Sequence, residues 1–157
     1  MIKVLHYVSI MNRAGQRPSS WICIEKSIVK KFSLDFSVQW RRRRLWRRNK
    51  GIRRRDLSLL MSAAGGAAGQ IRNYKAVKHA FRKYTDEYDI IHIHNYHAFD
   101  MTLSAIAALR AGAKKVVVHS HNSSADYHME LHKVFRPIIS HLPVTRLACT
   151  QDAGKWM

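Results

Sequence analysis

Acidic residues are scarce in this chain: 10 Asp and Glu stand against 28 Lys and Arg in 157 residues, a formal net charge of +18. Cysteine is scarcer still. Cys23 and Cys149 alone cannot build the disulfide framework of a small secreted domain, and the expectation is a reduced, cytoplasmic chain. No apolar run reaches the ~18 residues that span a bilayer, and the first ten residues (MIKVLHYVSI) lack a small-residue cleavage site. The composition that remains, 46% hydrophobic and 24% charged, is that of one packed globular domain rather than of a disordered tail.

The cationic excess is concentrated. Ten of the 28 cations lie in the run that opens at Arg41 and closes at Arg55 (RRRRLWRRNKGIRRR). Leu45, Trp46 and Ile52 interrupt it, so one reading is a basic module that binds nucleic acid or an anionic membrane. The other is a solvated basic loop.

Residues 2–10 (IKVLHYVSI) form a nearly continuous apolar, β-branched run, as expected of a strand buried on both faces. A small-residue turn (MNRAG, 11–15) follows, and FSLDFSV at 32–38 alternates as a half-covered strand does. Residues 62–69 (SAAGGAAG) carry no pattern and are expected to be flexible. Tyr74, Val77, Phe81 and Tyr84 recur at helical spacing over 73–84. DIIHIH (89–94) reads as a short strand, 98–111 as a helix closed by Gly112, and KVVVHS (115–120) as a buried strand. Residues 129–140 read as a helix that Pro137 bends or interrupts, RLACT (146–150) as a last strand, and 151–157 as the start of another helix. Strands alternating with helices predict an α/β domain with a doubly wound, Rossmann-like parallel sheet. Ligands of such sheets bind at the carboxyl ends of the strands, here the turn after Ile10 and the segments after Ile93 and Val118.

Polar groups gather at those ends: Asn12 and Gly15; His94, Asn95 and His97; His119, Ser120, His121 and Asn122. A histidine there can act as a general base or hydrogen-bond donor near neutral pH, or be a capped core residue. His92-x-His94, His119-x-His121 and His128-x3-His132 also have metal-ligand spacing, and alternation puts His92 and His94 on one face of a strand. No cysteine or carboxylate stands close by in the sequence to complete a conventional site, so no metal is expected.

Four segments, IKVLHYVSIMNR (2–13), YDIIHIHNYHA (88–98), VVVHSHNSS (116–124) and ACTQDAGKWM (148–157), resemble the N-terminal half of bacterial family 4 glycosyltransferases of the GT-B fold. Such enzymes belong to capsule and exopolysaccharide synthesis. The resemblance implies a retaining transfer of a sugar from a nucleotide-sugar donor to a glycan or lipid-linked acceptor, with no metal or other cofactor. It implies a cytoplasmic protein at the inner face of the cell membrane, with peripheral membrane contact and no nucleic-acid partner. Ala14 and Gly15 match the glycine turn whose backbone N–H groups approach donor phosphate. His121 matches the histidine that faces the transferred sugar in relatives, with His119 beside it; these are the expected catalytic residues. Asn12, His94, Asn95 and Asn122 are the expected acceptor contacts. Residues 1–157 correspond to the acceptor-side domain alone. The donor-binding half, with its carboxylate pair, has no counterpart, so the chain is expected to be inactive by itself, or to complete a transferase in trans.

The sequence departs from the family twice. MNRAGQRP (11–18) stands where the family reads M-N-R-G-G-A-E-T, and the arginine run replaces an acidic, glycine-rich stretch leading into G-G-E-I-Y. A shifted reading frame produces both. One base restored after the Arg13 codon lets 14–18 read G-G-A-E-T, and one surplus base in the Lys30–Lys31 codons returns the frame at Phe32. Every CGN arginine codon followed by C hides a GNC codon for Gly, Ala, Val or Asp, so 41–58 can read G-D-D-G-F-G-E-E-I-K-A-F-G-G-E-I-Y-H. The expectation is a truncated chain, frame-disrupted at 14–30 and 41–69, whose 41–69 segment is aberrant and poorly ordered. Sequencing the coding DNA checks this: an insertion or deletion is expected at each window, and an uninterrupted, independently confirmed frame would contradict a sequencing error.

Overall fold

The computed structural model describes residues 2–8, 32–38, 66–95, 97–124 and 129–157, the side chains of 32–38 and 66–70 excepted. Strands and helices alternate: β1 (Ile2–Val8), β2 (Phe32–Val38), α1 (Gly66–Tyr84), β3 (Ile90–Asn95), α2 (Ala98–Arg110), β4 (Val116–Ser120), α3 (Met129–His141), β5 (Thr145–Ala148) and α4 (Gln151–Trp156). All neighbouring strands are parallel, in the order β2-β1-β3-β4-β5. The chain leaves β1 towards β2 on one side and continues from β3 on the other. That reversal between β1 and β3 is a topological switch point, as expected of a Rossmann-like, doubly wound α/β sheet.

Side-chain alternation divides the sheet into two faces. Leu5 and Tyr7, Ile91 and Ile93, and Val116 and Val118 join one buried apolar cluster with Val77, Phe81 and Tyr84 of α1 and Met101, Ala105 and Ala108 of α2. Tyr7 meets Phe81 edge-on, with ring centroids 5.2 Å apart and planes at 72°. Alanine at three fully buried positions of α2 (105, 107 and 108) leaves only a methyl group between the helix backbone and its neighbours.

Helix α1 begins at Gly66, so residues 66–69, expected to be flexible and aberrant, are helical. Ala67 and Ala68 are the strongest helix formers, and a glycine costs only about 1 kcal/mol. Burial of Val77, Phe81 and Tyr84 further along the same helix outweighs that cost. The rest of the disrupted windows, including the run from Arg41 to Arg55, lies outside the described residues.

Helix α2 ends as its sequence requires. Gly112 takes φ 94°, its N–H donates to the Leu109 carbonyl, and the Ala113 N–H donates to the Ala108 carbonyl, both at 3.1 Å. This pair of bonds is the Schellman motif that a left-handed glycine permits. Helix α3, by contrast, runs through Pro137 without interruption. Proline removes one N–H donor there, while buried His132 and Ile139 hold the helix on both sides of it. Ser140 Oγ donates to the Arg136 carbonyl and His141 Nδ1 to the Pro137 carbonyl, 3.1 and 2.7 Å away. No helix among the described residues is long and apolar enough to cross a membrane.

Candidate functional site

Five histidines share the sheet face opposite the apolar core. His6 of β1 lies in register with His92 of β3, and His94 of β3 with His119 of β4. His121 follows two residues after His119, just past the end of β4. Neighbouring rings in this group have centroids 4.2 to 5.4 Å apart. The group spans the switch point and reaches the carboxyl ends of β3 and β4, where an open α/β sheet receives ligands.

Hydrogen bonds thread the rings together. His6 Nδ1 lies 2.9 Å from His94 Nε2, and His94 Nδ1 lies 2.9 Å from His121 Nε2. His121 Nδ1 in turn lies 2.9 Å from Cys149 Sγ, and that sulfur is 3.4 Å from His119 Nε2. A neutral imidazole carries one N–H and one acceptor nitrogen. The chain His6–His94–His121–Cys149 therefore has one direction of donation at a time: every N–H points towards Cys149, or every one points towards His6.

Burial keeps these rings uncharged at neutral pH. Desolvation, with repulsion from the neighbouring rings, pulls His6 and His121 down to about 4 and His92 to about 3. His94 is pulled down furthest, for the same reasons, and desolvation lowers His119 too. The His92 Nε2 and His119 Nδ1 atoms are buried with no hydrogen-bond partner among the described residues. His6, His92 and His94 form one group whose nitrogens lie within 4.8 Å of one another, and His94, His119 and His121 form a second.

The fold brings together three of the expected site residues, His94, His119 and His121, and separates Asn95 from them. Asn95 follows Ile91 and Ile93 onto the core face, where its Nδ2 donates to Ser104 Oγ at 3.1 Å. It is 1% exposed, and its Oδ1 is buried with no partner among the described residues. Asn122 stands just past the end of β4, and its carbonyl accepts from the Ser120 hydroxyl at 3.2 Å. Asn12, Ala14 and Gly15 lie outside the described residues.

His132 has a structural role rather than the metal-binding one its spacing allows. Its Nδ1 accepts from the Ala98 N–H at the start of α2, at 3.2 Å. The proton must then sit on Nε2, which donates to the Trp156 carbonyl at 2.9 Å. The ring also stacks on Trp156, with centroids 3.9 Å apart. His132 thus ties α2, α3 and α4 together. We expect His132→Leu to cost about 1–3 kcal/mol, because it removes both bonds and leaves an N–H unmet; urea unfolding measures it.

His6 and Cys149 are the members that sequence reasoning missed. Cys149 is 28 residues from His121 in the chain, yet the parallel pairing of β4 with β5 puts Ala148 beside Ser120. The ground for setting a metal aside, that no cysteine stands close by, holds along the sequence and fails in the fold. No protein-family model matches this chain, and no curated protein matches it.

Proposed function

We propose that this chain is the acceptor-side half of a retaining, nucleotide-sugar-dependent glycosyltransferase of the capsule or exopolysaccharide type. The observation that supports this reading is the convergence of His94, His119 and His121 at the ends of β3 and β4 beside the switch point. The rings are neutral, which suits sugar hydroxyls better than anionic groups, and the outermost nitrogens, His121 Nδ1 and His119 Nε2, are held only by the exposed Cys149 thiol that a hydroxyl can replace. His121 orients the reacting sugar, with its ring held by His94, and His119 lies beside it. Asn122 contacts the acceptor; His94, buried with both ring nitrogens engaged, acts on it only through His121, and Asn95 supports the strand end from the core side. By the resemblance the donor phosphate falls to Ala14 and Gly15, which lie outside the described residues. Residues 41–55, on which the alternative reading as a basic nucleic-acid- or membrane-binding module rests, lie outside the described residues.

A lipid-linked acceptor brings the protein to the inner face of the membrane. Helix α3 supports such a contact: Leu131, Val134 and Ile138 are exposed along one flank, Val134 by 58%. On the other flank, Lys133, Arg136 and His141 join Lys155 and Trp156 around a groove of about 590 Å³. Basic side chains near an anionic surface contribute about 1 kcal/mol each.

The test is a titration of the isotopically labelled chain with polyprenyl-phosphate-linked glycans and with nucleoside-diphosphate sugars, followed by NMR. The glycans are expected to shift the His94, His119, His121 and Asn122 signals. The donors are expected to bind no tighter than about millimolar (a binding free energy of roughly −4 kcal/mol). Glycans that leave those signals unmoved would remove the acceptor role, and micromolar affinity for a nucleotide sugar would overturn the assignment of the donor to another half.

A further inference from the structure

The cysteine that closes the histidine chain gives this end of the sheet a sulfur donor that the glycosyltransferase reading does not use. We propose that His119 Nε2, His121 Nδ1 and Cys149 Sγ bind a divalent transition-metal ion of the zinc type, with the fourth coordination position open. The proposal shares His119 and His121 with the acceptor reading above but rests on the placement of Cys149, which that reading leaves aside.

The geometry carries it. A tetrahedral zinc with Zn–N of ~2.05 Å and Zn–S of ~2.3 Å sets nitrogen and sulfur about 3.6 Å apart. Cys149 Sγ lies 3.4 Å from His119 Nε2, close to that separation, and 2.9 Å from His121 Nδ1. Opening the second distance takes a movement of His121 by about 0.7 Å. The rings of His119 and His121 are 4.2 Å apart, on the same side of the strand end. One nitrogen each from His94, His119 and His121 falls within a 4.8 Å cluster.

Access and protonation favour the same three residues. Cys149 is exposed and His119 and His121 are half-buried, so an ion can enter from solvent, whereas His6 and His94 are buried behind them. Metals bind neutral imidazole and thiolate. With Nδ1 of His121 on the metal, its proton sits on Nε2 and is donated to His94 Nδ1; His94 then donates from Nε2 to His6 Nδ1. This is one of the two directions the hydrogen-bonded chain permits. His94 is thus a positioning residue behind the metal, as the outer partners of ligating histidines are. A Cys-His-His set of borderline and soft donors selects zinc, cobalt or copper over magnesium or calcium.

Cobalt(II) titrated into the metal-free, full-length, reduced chain tests the site, because cobalt reports its ligands by colour. The expected result is one cobalt per chain, with a thiolate-to-metal charge-transfer band and strong visible absorption of tetrahedral cobalt, both displaced by zinc. Cys149→Ser, at an exposed position, is expected to abolish the charge-transfer band, and His119→Gln to weaken binding at least ~100-fold. His94→Gln should weaken binding ~10–100-fold while keeping the band. A wild-type chain that shows no thiolate band, or binding that survives Cys149→Ser unchanged, overturns the proposal.

Discussion

Acidification from about pH 7 to about pH 5 is expected to destabilise this protein by about 6 kcal/mol. His6, His92 and His94 carry pKa values lowered by burial, His6 to about 4 and His92 to about 3. In the unfolded chain each returns to the ordinary value of about 6.5. Above about 6.5 neither state binds the proton, and the stability from these neutral rings is fully present. As the pH falls below it, the unfolded chain takes up protons that the folded chain refuses, so stability is lost until the folded values are reached. Each such histidine tilts stability by about 1.4 kcal/mol per pH unit. Three together give about 4 kcal/mol per unit, against a typical domain stability of about 5–15 kcal/mol. Urea midpoints recorded across this range measure the slope, and a flat profile would contradict the desolvated cluster. His92→Leu should flatten the profile by about one histidine's share, with its largest stabilising effect at acid pH.

The second large effect lies on the opposite face of the sheet. Phe81→Ala is expected to destabilise the domain by about 3–5 kcal/mol, through lost burial and the cavity left behind. Phe81 is 2% exposed and stands edge-on to Tyr7, itself 1% exposed, so the substitution also removes an aromatic pair worth about 0.5–1.5 kcal/mol. Ile71 of α1 is 56% exposed and serves as the control: its truncation to alanine should change stability by less than about 0.5 kcal/mol. Equal effects at the two positions would mean that α1 does not pack through Phe81.

What the sequence makes legible follows the range of each signal. Tyr74, Val77, Phe81 and Tyr84 repeat within one helix, and the apolar runs of β1, β3 and β4 are short and continuous, so these elements announce themselves locally. Gly112 marks the end of α2 because one backbone conformation there needs a glycine. The start of α1 does not show, since Gly66 and Gly69 weaken the local preference and packing further along the helix decides it. Alternation alone places His92 and His94 on one face, and it also sends Asn95 to the other, where Ser104 receives it. Strand register is a non-local property. Only the pairing of β1 with β3 brings His6 beside His92, and only the pairing of β4 with β5 delivers Cys149 to His121. Polar residues at strand ends could be read from the sequence; the hydrogen-bonded chain they form could not.

His6, His92, His94, His119 and His121 make one neutral cluster that spans the switch point. Long-range ¹H–¹⁵N NMR of the imidazole nitrogens at about pH 6 tests it most directly, because an ordinary histidine is mostly protonated there. The expected result is five neutral rings, with hydrogen-bonded protons shared between His6 and His94 and between His94 and His121. Five rings that titrate together near 6.5, with no shared protons, would contradict it.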